Sequence, residues 1–288
     1  MKSPLLFPLA TALAAFSLAG CSKDNVATPQ TEFTLHMDNG AMVNNAAGTP
    51  VFTSLVLNAT PYKNANGDDF TVSTLKYYIS NVKLNKADGS SYAVPDSYFL
   101  VDQADATTQD LTMTGAPEGD YSSVSFIVGV DSARTKAGNF GTGVLNSSKG
   151  MFWPMNGGSG EFINFKLEGY SPQAQHTAPA TTGGLVFHVA GYQHSTTNTI
   201  RTVTVPFPSG TNLLIRADHQ PEVHMLVNIA KLFDGPNPAG VANPPFMNPV
   251  KFSSLSATMS PTTPMTAASK LADNIVAGMF SVGHIHAN

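Results

Sequence analysis

The sequence predicts an all-β fold: an antiparallel β-sandwich-like domain followed by a short C-terminal helix and tail. Three observations carry this. Apolar residues recur at every second position in many segments between Thr31 and about Phe233, which is the period of half-buried strands. Turn-forming residues, chiefly Gly, Pro, Ser, Thr and Asn, separate these runs. Charged residues make up only 12% of the 288, against about 25% in typical soluble domains, a balance that suits an exported β protein. The net charge of −4, with no cluster of Lys and Arg, argues against a nucleic-acid binder.

Taken in order, residues 1–20 read as a lipoprotein signal peptide. Lys2 is a small basic start, and Leu5 to Ala19 is an apolar run too short to span a bilayer. It ends in Leu18-Ala19-Gly20-Cys21, the pattern of a lipobox, in which Cys21 is lipidated (palmitate is one of the acyl chains expected) and becomes the new N-terminus. Cys21 is the only cysteine, so the mature protein would have no disulfide, no thiolate metal site and no cysteine nucleophile. Residues 21–30 read as the lipidated tether. Ser22, rather than Asp, follows the cysteine, and this points to the outer membrane, facing the periplasm or the cell surface.

Residues 31–234 form the predicted β domain. Phe33, Leu35 and Met37 share one face, with His36 and Asp38 on the other. Val124, Phe126 and Val128 alternate in the same way, as do Phe165 and Leu167, and Val223, Met225 and Val227. One run changes phase. Leu75, Tyr77 and Ile79 are odd, whereas Val82 and Leu84 are even, which predicts a β-bulge near Ser80-Asn81. Residues 235–288 change in texture to a Pro-rich connection, a helix from about Thr266 to Met279 with Ala268, Leu271, Ile275 and Met279 on one face, and a tail ending in His284-Ile285-His286. That tail is expected to dock on the β domain.

No hydrolase elbow, zinc-protease helix, phosphate loop or dinucleotide fingerprint is present, so the reading is of a protein that is not an enzyme. Without a thiol, a soft-metal site must use imidazole or thioether. His284 and His286 point the same way in an extended segment and can present two imidazoles to one ion, although a solvated C-terminus is the plainer reading. His188 lies within a strand run and His224 on the polar face of another. Either could be a ligand or a hydrogen-bonded structural histidine. His36 reads as simply exposed, and His176 and His194 fall in loops. Met247, Met259, Met265 and Met279 offer thioethers, which also fill cores. Trp153, the only tryptophan, sits in a Gly-bounded segment and reads as a core or rim anchor.

Several segments together resemble the copper-binding MbnP-like family of methanobactin-associated periplasmic proteins. They are Leu75-Lys76-Tyr77-Tyr78-Ile79-Ser80-Asn81-Val82-Lys83-Leu84, Tyr98-Phe99-Leu100-Val101-Asp102, Gly129-Val130-Asp131-Ser132, Gly150-Met151-Phe152-Trp153, Phe165-Lys166-Leu167-Glu168-Gly169 and Phe187-His188-Val189-Ala190-Gly191-Tyr192. The resemblance covers about Thr31 to Phe233. It implies an envelope protein that binds copper, as Cu(I), for sequestration or transfer. It also implies a tryptophan oxidised to kynurenine that joins histidines on the ion, and a di-haem, peroxidase-like partner that performs the oxidation. Trp153 is the residue that could be so modified, and His188, His224, His284 and His286 are the candidate ligands. The alternative is a non-metal surface module on the same scaffold, binding a glycan or a protein.

Overall fold

The computed structural model describes residues 31–59, 61–138, 142–154, 160–174, 184–191, 198–234, 250–254, 257–258 and 266–288. The signal segment, Cys21, the tether and most of the Pro-rich connection lie outside them, as do His176, His194, Met247, Met259 and Met265.

Two sheets pack face to face. The smaller has five strands. The last strand (Phe280–His286) pairs with the 222 strand (Glu222–Asn228), which pairs with the first strand (Glu32–Asn44). On the far edge the first strand takes two partners, Asp110–Thr114 along its start and Pro50–Ser54 along its end. The larger sheet is built on the long strand Asp69–Asn85, flanked by Ser123–Val128 and Gly160–Tyr170. Arg201–Pro206 and Gly184–Ala190 extend it on either side. Phe152–Pro154 pairs with the start of the Gly160–Tyr170 strand.

Alternation fixes the core. Phe33, Leu35 and Met37 meet Val223, Met225 and Val227 on the inner face of the small sheet. Leu75, Tyr77, Ile79, Phe126, Phe165 and Phe187 form the inner face of the large one, in the same buried cluster. Phe280 joins the two sheets, its ring 5.2 Å from Phe126 and 6.2 Å from Tyr77. Burying one such ring contributes roughly 2–3 kcal/mol. The Tyr77 hydroxyl also crosses between the sheets, donating to Asn39 Oδ1 at 2.7 Å.

The bulge expected at Ser80-Asn81 is present. The register between the long strand and Ser123–Val128 shifts between Ser80 and Lys83, and Asn81 takes φ 52°. Asparagine tolerates this left-handed conformation better than most residues. Two pairings among the described residues depart from the antiparallel expectation, a short one of Val186 and Phe187 with Ala257 and Thr258 and a long one in the small sheet. Thr34–Gly40 runs parallel to Glu222–Asn228. Parallel neighbours need a long crossover, and most of the domain lies between these two segments.

The helix spans Thr266–Val276, shorter than the expected stretch to Met279. Ala268, Leu271, Ala272 and Ile275 are its buried apolar positions, and Met279 is buried beyond its end. The last strand then lies along the 222 strand, and Asn288 holds its end by accepting from Leu214 N at 2.6 Å and donating to Asn212 O at 2.7 Å. Among the described residues no helix is long and apolar enough to cross a membrane.

Candidate metal centre

The outer face of the small sheet collects histidines from three strands. Because Phe33, Leu35 and Met37 turn inward, His36 and Asp38 turn outward, and His224 does the same between Val223 and Met225. Register then sets the neighbours. His36 lies opposite His224 across the parallel pair, and His224 lies opposite His284 across the antiparallel one. Asp110 lies opposite His36 on the other side, and Glu222 opposite His286.

A second bulge makes this row possible. The register of the last strand shifts by one residue at Gly283. Strict alternation from Phe280 would send His284 and His286 inward with Val282. The extra residue instead leaves Gly283 and His284 both outward, and Ile285 rejoins Val282 against the core.

The rings are close. His224 stacks on His284 at 4.2 Å between centroids and 11° between planes. His286 lies 4.9 Å from His224 and 4.4 Å from His284, nearly perpendicular to both. His36 is 4.8 Å from His224 on the other side. The two Nε2 atoms of His284 and His286 are 2.9 Å apart, so without an ion one ring donates to the other. Ligand atoms of His224, His284 and His286 all lie within 4.8 Å of one another, and so do those of His36, Asp38 and His224. Carboxylates orient the inner two rings. Asp110 Oδ1 is 2.5 Å from His36 Nδ1, Asp38 Oδ2 is 2.7 Å from His224 Nδ1, and Glu222 Oε1 is 2.9 Å from His224 Nε2.

His188 belongs to another place. It lies on Gly184–Ala190, with Leu185, Phe187 and Val189 turned into the core, so it faces outward from the large sheet. There a satellite cluster of Tyr78, Leu100, Val130, Met151, Phe162 and Ala190 covers the surface, with Trp153 packed against it. The Trp153 ring lies 5.7 Å from that of His188. Glu168 Oε1 accepts from His188 Nε2 at 2.7 Å and from Lys166 Nζ at 3.2 Å. Burial disfavours the imidazolium and holds the His188 pKa below its ordinary value, with Glu168 opposing. Burial would raise Glu168, but the His188 hydrogen bond and the Lys166 ammonium outweigh it and leave its pKa lowered. A neutral ring that donates through Nε2 has a bare Nδ1, and this buried atom has no hydrogen-bond partner among the described residues.

The structure therefore divides the four histidines proposed as ligands. His224, His284 and His286 come together. His188 stands on the opposite outer face, beside Trp153 instead. His36, read as merely exposed, is half-buried in the row, and Asp38, Asp110 and Glu222 were not singled out. Alternation showed their common face, but it cannot show which strands are neighbours. His219 pairs only with Asp218 among the described residues, at 2.9 Å.

A family model described as MbnP matches residues 30–252, well over half of the chain. Among solved structures, MbnP from Methylosinus trichosporium is similar at 13% identity, covering 72% of this chain and 79% of that one, with a TM-score of 0.44. No curated protein matches. The matched residues include Trp153, His188 and His224 and stop short of His284 and His286.

Proposed function

The chain belongs to the MbnP family, and we propose that it is a copper-binding protein of the cell envelope that holds Cu(I) through His224, His284 and His286. The observation that carries this reading is the convergence of three imidazoles, with ligand atoms within 4.8 Å of one another. The donor set suits the ion. The described residues contain no thiol, and imidazole is a good copper ligand. His284 and His286 are exposed while His224 is held from behind by Asp38. An exposed site anchored at one end fits a protein that sequesters copper or passes it on, and the reading assigns no catalysis. Export by the signal segment and an outer-membrane anchor on Cys21 are part of the same proposal.

The test is an anaerobic Cu(I) titration of the mature protein against a competing chelator. Tight binding is expected in the wild type, with loss in His224→Ala and in the double variant His284→Ala/His286→Ala. Unchanged binding in both would overturn the assignment.

A second reading rests on His188. Its bare, buried Nδ1 lies beside Trp153, and Glu168 fixes the ring from the other nitrogen, the usual support for a metal-bound histidine. The family resemblance implies a kynurenine made from tryptophan by a di-haem, peroxidase-like partner, and Trp153 with His188 is the pair here that could act in this way. Mass spectrometry of the Trp153 peptide from protein matured in its own host decides it. Kynurenine together with copper that survives loss of His284 and His286 would move the site to the large sheet. Unmodified Trp153 and no copper would leave the non-metal binding module.

A further inference from the structure

We propose that the small-sheet face carries a second cation position, formed by His36 Nε2, Asp38 and His224, that takes a borderline divalent ion such as Zn(II). The argument starts from His36. Its Nδ1 is engaged by Asp110 at 2.5 Å, so Nε2 is the nitrogen left to bind. That atom faces Asp38 Oδ1 at 3.4 Å, beyond the usual range of about 2.7–3.2 Å for an N–H···O bond. Tetrahedral bonds of about 2.0–2.2 Å place two ligands about 3.3–3.6 Å apart. The gap between the ring nitrogen and the carboxylate oxygen therefore fits an ion better than a shared proton.

The surroundings support the same conclusion. Asp110 behind His36 is the carboxylate–histidine arrangement that orients metal ligands and raises their basicity. Asp38 reaches both His36 and His224, one oxygen toward each. Asp38, Asp110 and Glu222 bring three carboxylates to this face, and within the described residues the ion pairs they make are all to histidine. No described lysine or arginine neutralises them there, so added positive charge is favoured. Mixed nitrogen and oxygen donors suit Zn(II) or Cu(II), whereas the all-imidazole group suits Cu(I). His224 is common to both groups, so the two positions share a residue and their occupancies are coupled.

This position does not require Cu(I) at the first group. The test is a Zn(II) titration of the mature protein, followed calorimetrically, beside the Cu(I) titration. His36→Ala is expected to weaken Zn(II) by about tenfold or more and to leave Cu(I) stoichiometry unchanged, and Asp38→Asn, which also alters the support of His224, is expected to weaken Zn(II) by a similar factor. His284→Ala/His286→Ala is expected to keep Zn(II). Circular dichroism of each variant separates ligand loss from unfolding, and the conservative Asp38→Asn retains the shape of the side chain. Zn(II) affinity unaffected by His36→Ala and Asp38→Asn, or Zn(II) lost only with the terminal pair, overturns the proposal. Zn(II) binding that follows His36 while Cu(I) binds nowhere would leave this site standing and remove the copper assignment.

Discussion

The two outer faces of the sandwich use histidine in opposite ways. On the small sheet, His36, His224, His284 and His286 pack side by side, half-buried or exposed, and carboxylates orient His36 and His224. On the large sheet, His188 is the one histidine among the described residues, buried against Trp153 and tied to Glu168. The first face offers many donors at low desolvation cost. The second offers one bare nitrogen in a dry setting, where an unpaired polar atom is expensive. A transient ion carrier gains from donor number and access. A modified tryptophan site gains from burial.

The largest effect expected is that of His224→Ala, because this residue belongs to both ligand groups. Cu(I) and Zn(II) binding should each fall by about 100-fold, at the upper end of what losing one supporting group costs, while Trp153 fluorescence stays unchanged. Copper binding that survives His224→Ala would break the comparison in favour of the large sheet.

Next comes His188→Ala. It removes the partner of the Glu168 carboxylate and leaves a void beside Trp153. The expected cost is about 1–3 kcal/mol, read as a fall in Tm, with Cu(I) stoichiometry at the small sheet retained. Loss of copper without loss of stability would place the ion at His188.

A pH titration sharpens the same contrast. His188 has its folded pKa lowered, so the unfolded chain takes up its proton first as pH falls below about 6.5. Stability therefore declines with acid from that point. Glu168 is also lowered, so its contribution, complete above about 4.3, is lost as pH falls further. Both groups act in the same direction. Trp153, the only tryptophan, lies 5.7 Å from the His188 ring, so its emission in the folded protein is expected to stay flat from pH 7 through about 6.5 while His188 remains neutral. A change in the emission of the folded protein near pH 6.5, about where an unperturbed imidazole titrates, would contradict the buried neutral His188.

What the sequence revealed divides along the same line. Alternation through Phe33, Leu35 and Met37, and through Val223, Met225 and Val227, placed His36 and His224 on polar faces. The step from Ile79 to Val82 disclosed the first bulge. The step from Val282 to Ile285 carries the same signal for the bulge at Gly283, but three apolar positions at the chain's end are too few to set a strand's phase by themselves. What alternation cannot supply is pairing. His36 and His224 meet through a parallel contact between segments far apart in the chain, and Trp153 meets His188 through an edge strand of three residues. Register is set by global packing, so those neighbours were not legible.

Gly283 gives the finest test of that point. A Cβ added there would lie 3.2 Å from Leu226 Cγ and Cδ2, closer than a comfortable contact. Leu226 is half-buried on the outer face and can yield by a few tenths of an ångström. Gly283→Val is therefore expected to cost about 1 kcal/mol and to weaken Cu(I) only a few-fold, as the tilt of His284 adjusts. Deleting Gly283 is the informative partner experiment. It removes the extra residue but leaves His284 opposite His224 with the inward phase of Val282 and Ile285 preserved, so copper binding persists. If deletion abolished binding while Gly283→Val did not, the bulge would be shaping the site itself. If both are tolerated, the bulge acts through phase alone, and the histidine row follows from which side of the sheet each residue occupies.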